Sequence, residues 1–331
     1  MIRSRNSSLT RLAACIGVAA LALSAAGGGV GAAEMLNVGK AVPTAYSFTP
    51  LDIGIESGIF AKHGLEVKSH GMGGSARLQQ GLIGGNLDIG LGAGPELAFV
   101  AKGAPVRGVA AMAGPPLLLV IVVREDAGIK TVDDLKGKII SVSTAGSLTE
   151  WLVKELSRQK GWGPDGIKAT PLGAPTAQVA ALRTKQTHGQ LTDLGLAYNL
   201  EKQGVGKTLL NFGDYVKDFH IHVIYANTKM IKERPDAVRK FLAGWFETIE
   251  FMIKNKDKSI AISGRIMNTP PDVTSRIYDK LMPMFSRDGK FDQKALAVLR
   301  KSFVELGTLD KEPDMSTTYT EEFLPKTKPG A

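Results

Sequence analysis

Apolar residues along this chain alternate between a strand rhythm and a helix rhythm. LNVGKAV at 36–42 predicts a first strand, and LDIGIESGIFAKH at 51–63 has helical spacing closed by Gly64. The same reading gives strands at 65–69, 87–91 and 106–112, with helices over 76–83 and 96–102 between them. Then the pattern restarts. LLLVIVV at 117–123 is a strongly apolar strand, followed by strands at 138–142, 167–171, 190–194 and 208–211. Helices are expected between them over 148–160, 177–184 and 198–203. Another apolar strand, HIHVIYA at 220–226, precedes a helical tail with helices over 235–254, 259–266, 271–281 and 292–306. Pro235 and Pro271 fall where a first-turn proline is tolerated.

Strands alternating with helices imply βαβ units and mostly parallel sheets. One pair of segments, beginning at Gly81 and Ala181, looks like a single pattern written twice. Each runs helix end, polar turn, strand with an Asp (Asp88 or Asp193), small-residue turn, helix. Two ordinary βα units would give the same appearance. The expected fold is α/β with two lobes, each a mostly parallel sheet flanked by helices, plus a helical C-terminal tail.

The first 33 residues stand apart. Arg3, Arg5 and Arg11 precede an apolar run from Leu12 to Ala26 and small residues ending at Gly31-Ala32-Ala33. That is the order of an export signal, and the run is shorter than the ~20 residues of a membrane span. Residues 1–33 are therefore expected to be a cleaved signal peptide and the mature protein to be periplasmic. Cys15, the only cysteine, lies in that segment. The mature chain then has no disulfide, thiolate nucleophile or Cys-ligated zinc. Loss of the three arginines takes the formal charge from +9 to +6, spread without the clusters that mark a nucleic-acid surface.

Residues 71–96 carry nine glycines in 26 positions, and GMGGSA fits the loose G-x-G-x-x-A form of the dinucleotide fingerprint. The acid expected ~20 residues on is poorly matched, since Asp88 belongs to the next strand turn. Together, these residues resemble a known group. Pro50-Leu51, Glu56, Gly58-Ile59-Phe60, Gly64-Leu65, Gly74-Ser75 and Asp88-Ile89-Gly90 occur in that order. The second half adds Val132-Asp133-Asp134-Leu135-Lys136-Gly137-Lys138 and Ser143-Thr144-Ala145-Gly146-Ser147. This resembles the solute-binding proteins of nitrate, taurine and sulfonate ABC importers, a family that includes binders of thiamine-pyrimidine precursors. His188 stands where relatives often have an acidic residue.

The resemblance implies a type II periplasmic binding protein, with lobe I at 34–115 and 219–331 and lobe II at 116–218. It implies no enzyme activity, no cofactor, a small-molecule solute, and a membrane permease and ATPase as partners. A monomer is expected. A same-fold enzyme and a receptor-linked sensor are the alternatives.

Ligands of open α/β sheets sit at the carboxyl ends of strands. The strand-end turns supply Thr44, Ala45 and Tyr46, then Gly73, Gly74 and Ser75, then Gly94 and Pro95. In the second half they supply Ser143, Thr144, Ala145, Gly146 and Ser147, with Asp193 and Tyr198 further on. Backbone amides and hydroxyls there suit an anion such as a sulfonate or carboxylate. Tyr46, Phe48, Trp151, Tyr198 and His220 offer an apolar or aromatic slot that would suit a neutral heterocycle, although such side chains more often simply pack in the core. Ser147 and Glu150 fit a capping box, which needs no ligand. His220 and His222 would point the same way on a strand, but no third metal ligand is spaced to join them.

Overall fold

The computed structural model describes residues 33–326, so the expected export signal and Cys15 lie outside the described residues. Two five-stranded sheets organise the chain. The first contains β1 (Glu34–Lys40), β2 (Leu65–Gly71), β3 (Ile89–Ala93), β4 (Val106–Ala113) and β10 (His222–Asn227), in the order β2-β1-β3-β10-β4. The second contains β5 (Leu119–Val123), β6 (Ile139–Val142), β7 (Lys168–Pro171), β8 (Gly189–Asp193) and β9 (Lys207–Asn211), in the order β7-β6-β8-β5-β9. In each sheet one strand runs against its neighbours, β10 in the first and β5 in the second. Both sheets are therefore mixed, each with four strands sharing one direction.

The reversed strands are the two apolar runs seen in the sequence. Every residue of LVIVV and of HVIYAN is buried, as expected for strands covered on both faces. β5 opens the second sheet as the chain leaves β4, and β10 completes the first after the chain returns from β9. Helices flank both sheets. The long helix Pro235–Lys254 buries Phe241, Leu242, Trp245, Phe246 and Ile249 at helical spacing, and Phe60 stacks on Phe241 with ring centroids 5.2 Å apart. Each such side chain contributes about 1.5–3 kcal/mol by leaving water.

Several elements differ from their sequence-based outlines. The helix expected over 51–63 is two, Thr49–Glu56 and Ile59–Lys62, broken at Gly58 with φ +71°. That left-handed residue redirects the chain so that Phe60 can reach Phe241. The helix expected from Tyr198 begins at Leu194, because Asp193 Oδ1 accepts the Gly195 and Leu196 amides and starts it early. The strand expected from His220 begins at His222. The Ile221 amide goes to Gly114 O and its carbonyl accepts from Gly94, so this stretch ties connections together before ladder pairing starts. The doubled segment is real, at an offset of one hundred: helices Ser75–Ile83 and Pro175–Arg183, then β3 and β8. The two aspartates are not equivalent, however. Asp88 precedes β3, whereas Asp193 ends β8.

Candidate functional site

The turns after β1, β2 and β3 are joined by backbone hydrogen bonds. Met72 donates to Lys40 O, Gly74 to Ala41 O at 2.8 Å, and Ala41 to Leu91 O. Thr44, Ala45, Tyr46, Gly73, Gly74, Ser75, Gly94 and Pro95 thus share one end of the first sheet. Beneath them the buried Lys40 ammonium pairs with Asp52 at 2.6 Å, tying the end of β1 to helix Thr49–Glu56. Gly73 and Gly74 have φ of +70° and +141°, conformations that favour glycine. A methyl at Gly73 would lie 3.6 Å from Arg77 Nη1, so that guanidinium overhangs the turn. Gly94 is glycine for another reason: a Cβ there would meet His220 O at 1.9 Å.

His220 therefore lies against the β3 turn, but both of the paired histidines are engaged separately. His220 Nε2 accepts the Asp292 amide at 2.9 Å, and His222 Nδ1 donates to Gly92 O at 3.3 Å beside the Phe48 ring. Burial depresses both imidazoles to about 4, holding them neutral. No cluster of three metal-ligating side chains occurs among the described residues.

In the second sheet the Ser143–Ser147 turn is internally bonded. Ser147 Oγ accepts the Glu150 amide at 3.3 Å, and Glu150 Oε2 reaches back to the Gly146 amide at 2.6 Å. Ser143 shares a hydrogen bond with Thr149 at 2.8 Å, while Thr144, Ala145 and Gly146 are exposed. The turn after β7 belongs to the same group, since Gly173 donates to Ser143 O at 2.6 Å. Sequence reasoning passed over Gly173, Ala174 and Pro175. The hundred-residue offset from Gly73, Gly74 and Ser75 was the signal that finds them.

Three helix N-termini at these strand ends carry carboxylates of the protein itself. Asp193 caps the helix after β8, Glu150 the helix after β6, and Glu96 accepts the Ala93 amide at 2.8 Å after β3. Burial raises the Asp193 carboxyl and pushes Glu96 up to about 7. At these strand ends two helices of nine residues, Ser75–Ile83 and Pro175–Arg183, the offset pair, have neither a side-chain cap nor a first-turn acid. The same holds for the short turn Tyr46–Phe48. The positive ends of the two helices are the places where an anion is stabilised. The Ser75–Ile83 end keeps its first amides free. At the other, Pro175 has no N–H and the Ala177 and Gln178 amides donate to Ala174 O, which leaves Thr176 as the donor.

One stretch of chain, 271–285, meets both clusters. Helix Pro271–Leu281 sets Arg276 over the Tyr198 ring at 4.5 Å, and Ile277 lies beside Gly195. The next segment brings Phe285 within 6.1 Å of the Tyr46 ring. A second bridge is made by helix Gln293–Glu305, where Glu305 accepts from Trp151 Nε1 at 2.8 Å and pairs with Arg158 at 3.2 Å. Beside it is a cavity of about 310 Å³ lined by Trp151, Glu155, Gln159, Tyr215 and Val298, at the connection leaving β9 and away from the strand-end turns. Glu96, Arg276 and Glu305 gave no signal of their own in the sequence; their roles come from tertiary contacts.

The profile of the family described as NMT1/THI5 like matches residues 45–259. No curated protein sequence matches. Among solved structures, the alkanesulfonate-binding protein SsuA from Xanthomonas axonopodis pv. citri, bound to MOPS, is similar with a TM-score of 0.73 at 18% identity, over 87% of this chain and 98% of that one. The periplasmic nitrate-binding protein NrtA from Synechocystis PCC 6803 has a TM-score of 0.62 at 16% identity, over 79% and 74%. The desulfurization enzyme DSZB also has a TM-score of 0.62, at 15% identity over 88% and 97%. At these identities the likeness concerns the fold, which is that of the periplasmic binding proteins.

Proposed function

Because the chain belongs to the NMT1/THI5-like family, we propose that it is the solute-binding component of an ABC import system. Its lobes, 34–115 with 219–331 and 116–218, close on a small organic anion such as a sulfonate or carboxylate and deliver it to a membrane permease driven by an ATPase. It works in the periplasm as a monomer after removal of residues 1–33, and performs no reaction on the solute. The observation that carries the anion is the pair of uncapped helix N-termini at Ser75 and Pro175, with Arg77 overhanging the first. An anion gains about 0.3–1 kcal/mol per helix end and about 1.5–3 kcal/mol per hydrogen bond to its charge. A few such terms reach the ~8 kcal/mol of micromolar binding.

A neutral heterocycle is the second reading, favoured by the carboxylates already occupying three other helix ends. Thermal melts against sulfonates, carboxylates, nitrate and pyrimidines separate the two. An anion at a hundredfold excess over its Kd should add about 2.7 kcal/mol of stability, and Arg77→Ala should lower that anion's affinity at least tenfold. Uniformly flat melts, with nothing released on denaturing freshly purified protein, would overturn the binding function.

A further inference from the structure

Glu96 is 3% exposed and sits directly behind the candidate site. Its carboxyl accepts the Ala93 amide at 2.8 Å and the Gln79 side-chain amide at 2.5 Å, and the Ser75 hydroxyl lies beside it. No Lys or Arg among the described residues pairs with it. From helix Ser75–Ile83 it is faced by Ser75 and Gln79, and from β10 by Tyr225, whose hydroxyl donates to Ala93 O at 2.7 Å. His222, also on β10, meets the neighbouring Gly92 carbonyl and is held neutral by burial. Helix Gln293–Glu305 presents the apolar Leu299 beside Gly94. A buried carboxyl without a cation is costly to ionise. Burial accordingly raises Glu96 to about 7, against the lowering pull of its three hydrogen-bonding neighbours.

Ser75 has a single hydroxyl proton. When Glu96 is ionised, that proton is drawn to the carboxylate, and Ser75 offers the turn only an acceptor oxygen with a negative charge behind it. When Glu96 is protonated, the hydroxyl is free to donate outward. Gln79 Oε1, buried and without a partner, can take the extra proton's hydrogen bond after an amide flip. We infer that Glu96 is a positioning residue that sets the hydrogen-bond polarity of Ser75, so that an oxyanion is bound together with one proton. The proton comes from solvent and resides on the Glu96 carboxyl. This rests on the anion reading proposed above.

The test measures binding of ethanesulfonate by calorimetry from pH 6 to 8.5. Wild type should weaken about tenfold per pH unit above pH 7, the signature of one coupled proton, and take up a proton from buffer on binding. Glu96→Gln should bind with an affinity that does not change with pH. Ser75→Ala, a second variant that leaves Glu96 in place but removes the hydroxyl it acts through, should bind more weakly and lose most of the pH slope. A full wild-type slope in Ser75→Ala overturns the route through Ser75. Asp193 is the internal control: a slope that survives in Glu96→Gln belongs to another group and overturns the inference. A pH-independent wild type overturns it too. If ethanesulfonate binds neither wild type nor variant at any pH, the solute reading for sulfonates fails and the coupling with it. Carboxyl infrared bands of the solute-free protein then report separately whether Glu96 holds a proton at pH 6.

Discussion

Asp88 and His188 occupy one position in the two sheets. Asp88 Oδ2 accepts the Asn37 amide of β1 at 2.8 Å, and His188 Nδ1 accepts the Ile139 amide of β6 at 3.1 Å. Each residue immediately precedes the third strand of its unit and closes the ladder to the first. A carboxylate and an imidazole thus do the same work, and the histidine in the acidic position is an architectural substitution far from the strand-end turns.

The imidazole can accept only while neutral, and burial, with Lys138 and Arg124 nearby, lowers its pKa. A histidine depressed in the folded state stabilises above its unfolded pKa of ~6.5, and that contribution fades as pH falls through the folded value. His188→Ala should cost about 0.5–1.5 kcal/mol at pH 7 and less at pH 4, whereas His188→Asp should retain stability at pH 7. Thermal melts at the two pH values check both.

Gly94 is predicted to be intolerant of a methyl, because His220 O stands 1.9 Å from where Cβ would be and is backbone. Gly94→Ala should lose about 1–3 kcal/mol or more in urea denaturation. Gly85, with φ +75° and nothing within 4 Å, is the comparison. Gly85→Ala should lose about 1–2 kcal/mol from backbone strain alone.

The Trp151–Glu305 bond joins a helix of the second sheet to the C-terminal tail, with Trp151 also stacked 5.0 Å from Phe219. Trp151→Phe should keep the stack and lose the hydrogen bond, and Glu305→Gln should weaken it. A double-mutant cycle should give a coupling of about 1–2 kcal/mol, and additive losses would mean the bond contributes nothing.

Glu96 also predicts a stability profile that needs no ligand. Its folded pKa of about 7 is above the ordinary 4.5, so the folded protein keeps a proton that the unfolded chain releases. Stability should therefore decline from pH ~4.5 to 7 and level off, by about 3 kcal/mol at most. Glu96→Gln should lack that component of the decline.

Much of the architecture was legible because strands buried on both faces read as unbroken apolar runs, as in β5 and β10, and because Pro235, Pro271 and Gly64 mark helix limits. Legibility failed where a single side chain decided the outcome. Gly58 breaks a helix whose apolar spacing continues through it, and the Asp193 cap begins at Leu194 a helix expected from Tyr198. In the candidate site, the turns were readable from their glycines and hydroxyls. Glu96 was not, because its importance comes from Gln79, Ser75 and β10 closing around it, and no local pattern records that. Ala93-x-x-Glu96 is half a capping box, with no side-chain oxygen at its first position.

The placement of β10 imposes an order on assembly. The second sheet is built from one continuous stretch, 119–211, and is complete as soon as that stretch has left the ribosome. The first sheet cannot join β4 to β3 until β10 arrives from beyond residue 221, after the whole second sheet has been synthesised. The segment made first is therefore finished last, and the growing chain carries an incomplete N-terminal sheet through most of its synthesis. A long-range pairing of this kind delays folding, so the first sheet is the slower of the two to close and the one whose formation waits on distant chain.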